Sequence, residues 1–129
     1  IKEFKPENII DFAGQGMVAE SWANPEQWYH TNLVSKARLH QALMQLEHSY
    51  KYIRISTPEV YGNVTSRIIE NKTYNPSTPY ALSHCAVDMS LDLLNREFSF
   101  PGVIGRFANF YGSHQQLYNF FRIYMIVFG

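Results

Sequence analysis

The sequence predicts an α/β fold with a parallel sheet, and three observations predict it. Strand-like and helix-like segments alternate as strand, helix, strand, helix, strand. The strand segments are short, apolar and rich in β-branched or aromatic residues. The two helical segments between them are long enough to cross back over a sheet, the connection that parallel strands require.

Each element has its own signal. Asn8-Ile9-Ile10-Asp11-Phe12-Ala13 reads as a buried strand ending at Gly14. Asn24-Pro25-Glu26-Gln27 opens the first helix, with Asn24 as N-cap, Pro25 in the first position and Gln27 completing a capping box. Leu33, Ala37, Leu43 and Leu46 continue its apolar stripe to about His48. Tyr52-Ile53-Arg54-Ile55-Ser56 reads as the second strand. Residues 63–77 are polar and read as a long surface loop. Thr78-Pro79 starts a helix that reaches about Phe98, and residues 101–106 read as the third strand.

Ligands of such sheets bind beyond the carboxyl ends of the strands. Three segments fall there: residues 14–17, 56–62 and 106–116. Their convergence is the main functional expectation from the pattern.

The chain has 129 residues, of which 46% are hydrophobic, enough for one domain with a modest core. Lys+Arg and Asp+Glu both number 11. This neutral balance gives no general attraction to nucleic acid or anionic lipid, so neither is an expected partner. The single cysteine, Cys85, cannot form an internal disulfide, and no signal peptide is visible; a cytoplasmic location is expected. The start at Ile1 reads as internal to a longer reading frame. The apolar run over residues 120–128 contains Arg122 and is too short to span a bilayer as a helix. His30, His40, His48 and His114 show no metal-ligand spacing, so no metal is expected, and His40 and His48 are expected on the helix surface.

Tyr80 and His84 stand one helical turn apart on the second helix. A phenol with a reference pKa of about 10 is a poor base at neutral pH, and lowering it to about 7 takes about 4 kcal/mol of preferential phenolate stabilisation. A cation at the i+4 position is one device for this, and His84, with a reference pKa of about 6.5, is a weak one. An ordinary amphipathic helix explains the pair equally well. Ser56 and Thr57, at a strand end, suit hydrogen bonds to a sugar hydroxyl or carbonyl, and equally suit turn chemistry. Glu59 is a candidate base toward a carbon acid or a solvated loop carboxylate. Gly14 and Gly16 permit close approach of backbone to ligand, but the G-x-G-x-x-G dinucleotide fingerprint is absent. Arg106 and Asn109 suit a phosphate or hydroxyl, with a structural arginine as the competing reading. It is the joint occurrence with Tyr80 that shifts the balance toward a site.

Taken in order, Lys5 to Ala13, Thr31-Asn32, Ser56-Thr57-Pro58-Glu59-Val60-Tyr61-Gly62, Pro79 to Asp88 and Arg106-Phe107-Ala108-Asn109-Phe110-Tyr111-Gly112 resemble the extended short-chain dehydrogenase/reductases. Among these the chain is most similar to the nucleotide-sugar 4,6-dehydratases acting on dTDP-glucose or GDP-mannose. The resemblance implies a partial Rossmann-like doubly wound sheet over residues 1–118, lacking its N-terminal glycine-rich unit, followed by an atypical apolar tail over residues 119–129 that reads as truncated or frameshifted.

It also implies NAD as cofactor, a nucleotide-sugar as substrate, and a sequence of oxidation at C4, loss of water across C5 and C6, and hydride return. The implied catalytic residues are Thr57, Glu59, Tyr80 and His84. Phe12, Ala13, Gly14, Gln15, Ser56, Tyr80 and His84 would contact the cofactor, and Thr57, Arg106 and Asn109 the substrate; Asn32 matches a helix Asn near the active site. Two departures stand out: Pro58 replaces an Asp usual in the dTDP-glucose enzymes, and His84 replaces the usual lysine. A 4-epimerase or decarboxylase of the same superfamily, or a non-catalytic remnant, are the alternatives. A homodimer through a four-helix interface is implied by resemblance only. The isolated chain is expected to be marginally stable, inactive as an enzyme, and weak in binding NAD.

Overall fold

The computed structural model describes residues 1–108. Asn109 and the tail over residues 119–129 lie outside the described residues, as does most of the 106–116 segment.

Three parallel strands form the sheet in the order β1 (Asn8–Asp11), β2 (Lys51–Ser56), β3 (Gly102–Arg106). The register sets Ile10 against Ile53, and Arg54 against both Asp11 and Ile104. All three strands therefore end on the same rim, as the alternating pattern predicts. Among the described residues no helix is long and apolar enough to cross a membrane.

The first helical run is composite. It comprises α1 (Pro25–Trp28), a π-helical stretch (Tyr29–Val34) and α2 (Ser35–Leu43). Three expectations fail here. Asn24 makes no side-chain cap, so the capping box with Gln27 does not form; only the Asn24 carbonyl accepts from the Gln27 amide, at 3.1 Å. The helix ends at Leu43, short of His48.

The inward face is also different. It runs through Trp28, Asn32, Lys36, His40 and Leu43, while Ala37 is exposed. At 3.6 residues per turn, the twelve residues from Trp28 to His40 would rotate about a third of a turn off the face. The wider π turn keeps positions four apart in line. This is why His40, expected at the surface, is 1% exposed.

The second long helix, α3 (Pro79–Phe98), follows the sequence reading closely. Thr78 Oγ1 accepts the Ala81 amide at 3.0 Å, Pro79 takes the first turn, and Ser99 ends the helix in the left-handed conformation. Leu43 of α2, Tyr52 of β2, Leu91 of α3 and Phe100 form the main core. Gly102 is required by this packing, since a Cβ there would stand 2.8 Å from Leu91 Cδ1. A short 3-10 turn at Pro58–Tyr61 follows β2, and one at Ala19–Trp22 packs at the start of α3, where Ser21 Oγ accepts the Tyr80 amide at 3.2 Å.

Candidate active site

β2 alternates in the opposite sense to an ordinary half-buried strand. Tyr52, Arg54 and Ser56 are buried, while Ile53 and Ile55 are only partly so. Buried polar groups must find partners, and two carboxylates supply them. Asp88 on α3 accepts from Arg54 Nε at 3.2 Å, Ser56 Oγ at 2.9 Å and Arg106 Nε at 3.0 Å. Asp11, at the end of β1, accepts from Lys36 Nζ at 2.5 and 2.6 Å and from Tyr52 Oη at 2.5 Å. Burial alone would raise the Asp11 carboxyl, but the Lys36 and Tyr52 hydrogen bonds and the Lys36 charge hold it below the usual range.

On this floor sits a cleft of about 500 Å³ at the carboxyl rim of the sheet. It is lined by residues 12–18, by residues 55–59, by Tyr80 and His84, and by Phe107 and Ala108. A cavity of this size is in the range that takes small ligands. Phe12, Ala13, Gly14, Gln15, Ser56, Thr57, Glu59, Tyr80 and His84 all meet there. Arg106 does not: its guanidinium is drawn beneath the 63–77 loop, donating to Tyr61 Oη and Tyr74 Oη, both at 2.7 Å, as well as to Asp88. Burial would favour losing its proton, but the Asp88 hydrogen bond and charge keep it firmly protonated.

Thr57 has two roles. Its Oγ1 caps the Pro58–Tyr61 turn by accepting the Glu59 amide at 3.3 Å, and it lines the cleft beside Tyr80, where it favours the phenolate. Ser56, although it lines the cleft, commits its hydroxyl to Asp88. The Tyr80 and His84 rings lie 4.6 Å apart between centroids, inclined at 52°. Burial raises the Tyr80 phenol above its ordinary value; the Thr57 hydrogen bond opposes this, the Glu59 charge adds to it, and the Arg54 charge opposes it.

The loop over residues 12–18 is held from below. Asn32, 1% exposed, accepts from the Gln15 amide at 2.7 Å and donates to the Gln15 carbonyl at 3.0 Å and to Ser83 Oγ at 3.1 Å. Trp28 Nε1 donates to the Gly16 carbonyl at 2.7 Å. A Cβ at Gly14 would come to 3.3 Å from Asn32 Oδ1, which accounts for the glycine.

Sequence reasoning did not single out Trp28, Lys36, Arg54, Asp88 or Ser83 as site supports. One signal was available: Arg54 is a charge in the middle of an apolar strand, and such a charge is buried only with a partner.

Two buried histidines give the stability a definite pH dependence. Burial, then the Arg54 and Lys36 charges, hold His84 neutral with a pKa of about 3, against a weak opposing pull from Asp11. Burial and the Arg54 charge, with Lys36 adding and Asp11 opposing, take His40 to about 4. Both folded values lie below the unfolded value of about 6.5. As pH falls below about 6.5 the unfolded chain takes up these protons first, so stability declines down to about pH 3–4 and gains nothing further above pH 6.5. Each histidine is expected to cost about 2 kcal/mol between pH 6.5 and pH 5. Urea unfolding at the two values checks this, with His40→Gln removing about half of the slope; a flat profile would contradict it.

Comparison with known proteins follows the same direction. A family model described as GDP-mannose 4,6 dehydratase matches residues 1–126. The chain belongs to this family. It is 30% identical over 116 residues to a dTDP-glucose 4,6-dehydratase from Mycobacterium tuberculosis (strain CDC 1551 / Oshkosh), an alignment that covers 87% of the chain and 34% of that relative. The chain thus spans about a third of the length of the curated relatives it matches. Among solved structures, a dTDP-glucose 4,6-dehydratase from Streptomyces venezuelae with NAD bound superposes with a TM-score of 0.81 at 27% identity, over 95% of this chain and 39% of that one. A UDP-glucose 4-epimerase from Thermus thermophilus, also complexed with NAD, gives 0.80 at 29% identity, over 88% and 37%. The fold of this family member is therefore a partial Rossmann-like α/β sheet.

Proposed function

We propose that this chain is the part of an NAD-dependent nucleotide-sugar 4,6-dehydratase that carries its proton-transfer groups. The observation that carries the reading is that Thr57, Glu59, Tyr80 and His84 line one cleft at the sheet rim. The cleft suits one end of a dinucleotide. Gly14 and Gly16 offer backbone without side chains, Gln15 is pinned by Asn32, and Tyr80 and His84 face the same space. The glycine-rich turn that cradles a pyrophosphate has no counterpart in the sequence. Phe12 to Gln15, Ser56, Tyr80 and His84 would hold the bound cofactor. NAD, when bound, supplies a reversible hydride acceptor.

The residues of the chain do the rest. Tyr80 takes the proton of the sugar C4 hydroxyl, and Thr57, which lines the same cleft, aligns that oxygen. The C4 ketone acidifies the neighbouring C5–H, and Glu59 removes that proton. Hydroxide leaves C6 and takes up a proton to depart as water; return to C6 of the hydride removed from C4, with a solvent proton added at C5, would complete the 4-keto-6-deoxy sugar. Asn109 remains a candidate for the substrate side. Because Arg106 is engaged with Asp88, Tyr61 and Tyr74, its contribution is to shape the 63–77 loop.

An epimerase would share the oxidation but not the elimination, and the Thermus thermophilus epimerase fits the same backbone as well as the dehydratase does. Glu59→Gln separates the two. In the full-length protein, with NAD and either dTDP-glucose or GDP-mannose, the wild type is expected to form a 4-keto-6-deoxy sugar carrying solvent hydrogen at C5. The variant is expected to retain sugar oxidation and lose elimination by about 10²–10⁴-fold. Inversion at C4 without deoxygenation, unaffected by the substitution, would establish the epimerase instead.

A further inference from the structure

Arg54 is the cation beneath the cleft that the proposed chemistry leaves without a task. It lies in the middle of β2 at 1% exposure, with Nε on Asp88 and Nη2 3.1 Å from His84 Nδ1. A guanidinium is always protonated and only donates. His84 Nδ1 must therefore accept, and the single proton of the neutral ring sits on Nε2. Nε2 has no hydrogen-bond partner among the described residues and is not one of the buried orphaned atoms, while His84 lines the cleft. An N–H donor is thus fixed in orientation and open to a ligand.

The same contact prevents His84 from being the cation that Tyr80 needs, since a second positive charge at Nδ1 would face Arg54 directly. Beside Tyr80 are His84 of its own helix, with ring centroids 4.6 Å apart, and behind His84, 3.1 Å from its Nδ1, Arg54 of β2; Thr57 and Glu59 of the strand-end turn line the same cleft. Arg54 is the one fixed positive charge among these four.

We infer that Arg54 and His84 divide the work a single lysine at position 84 would do: Arg54 supplies the fixed positive charge behind Tyr80 and locks His84 as an Nε2–H donor to a sugar hydroxyl. Arg54 is a positioning residue, acting through Tyr80 and His84 without touching ligand. The hydroxyl is that of a ribose or hexose, the chemistry a nucleotide cofactor and a nucleotide-sugar share. The inference rests on Tyr80 being the base of the proposed reaction.

The test reads protonation directly and then turnover. In the full-length protein, ¹⁵N NMR is expected to show His84 as the neutral Nε2–H form across the range in which the protein is folded. In Arg54→Gln, His84 is expected to regain a proton at higher pH, and the ionisation of Tyr80, followed by its ¹³Cζ resonance, to move up by about one unit. Turnover at limiting pH should fall about tenfold in kcat; a rise in the KM for NAD alone assigns the hydroxyl to the ribose, and a rise in the KM for nucleotide-sugar assigns it to the hexose.

His84→Lys alone sets an ammonium against the guanidinium and is expected to lose activity. Arg54→Gln with His84→Lys moves the charge within reach of Asp88, one turn along α3, and is expected to restore the Tyr80 ionisation and most of the rate. Should Arg54→Gln fail to fold, Arg54→Lys keeps the charge without the planar fork and is expected to hold Tyr80 while freeing the His84 tautomer. An Nδ1–H His84 in the wild type, an unmoved Tyr80 in Arg54→Gln, or a double variant no better than Arg54→Gln would overturn the inference. A wild type with the expected NMR signatures and no action on either sugar would instead refute the dehydratase reading and leave the charge placement standing.

Discussion

Asp88→Ala is expected to destabilise the protein by about 3–5 kcal/mol, the cost of breaking a buried ion pair from one side. Asp88 is 0% exposed and its two oxygens serve Arg54, Ser56 and Arg106. Its carboxylate is the anion that the two guanidiniums share. Without it, Arg54 retains His84, and Arg106 retains the two tyrosine hydroxyls. The Arg54 guanidinium, 1% exposed, would then be buried beside a second cation with no carboxylate between them. Stabilities of natural domains are about 5–15 kcal/mol, so this one change removes a large share. Urea unfolding measures it.

The control is Asp92→Ala, which breaks the Lys72–Asp92 pair at 3.1 Å. There the lysine side chain is 80% exposed. Solvent screening leaves such a pair about 0–1 kcal/mol. Equal losses in the two variants would mean that the Asp88 cluster is not the keystone its burial implies.

The parts of the fold that were legible are those fixed by local chemistry. Thr78-Pro79 announces α3 because the threonine hydroxyl and the proline ring each satisfy a helix start within three residues. β2 announces itself by its alternating apolar residues, and the rim of a parallel sheet then locates the cleft whatever the side chains are. Thr57 and Glu59 were found in this way, and Tyr80 and His84 by their spacing of one turn on the second helix; the fold brings the two segments to one cleft.

What was not legible depended on phase or on distant partners. The π-helical stretch shifts the inward face by part of a turn, and nothing in Tyr29 to Val34 states that shift in advance; Ala37 and His40 therefore exchange places relative to expectation. Arg54 reads locally as the exposed member of an alternating strand. It is turned inward because Asp88, 34 positions later, meets it there. Arg106 was expected at the substrate and is instead taken up by Asp88 and by two tyrosines, one from the Pro58–Tyr61 turn and one from the long loop. Asn24 has the right identity for a cap, but with φ −142° and ψ 63° its side chain makes no cap hydrogen bond.

The claim on which the functional account depends is that the Tyr80 hydroxyl exchanges a proton with the substrate during sugar oxidation. Single-turnover reduction of bound NAD in Tyr80→Phe tests it most directly. The substitution removes one oxygen from a partly buried ring and leaves the His84 ring contact and the Thr57 cap of the neighbouring turn in place. The oxidation step is expected to slow by about 10²–10⁴-fold, with nucleotide-sugar binding changed little. An oxidation rate equal to that of the wild type would contradict the account.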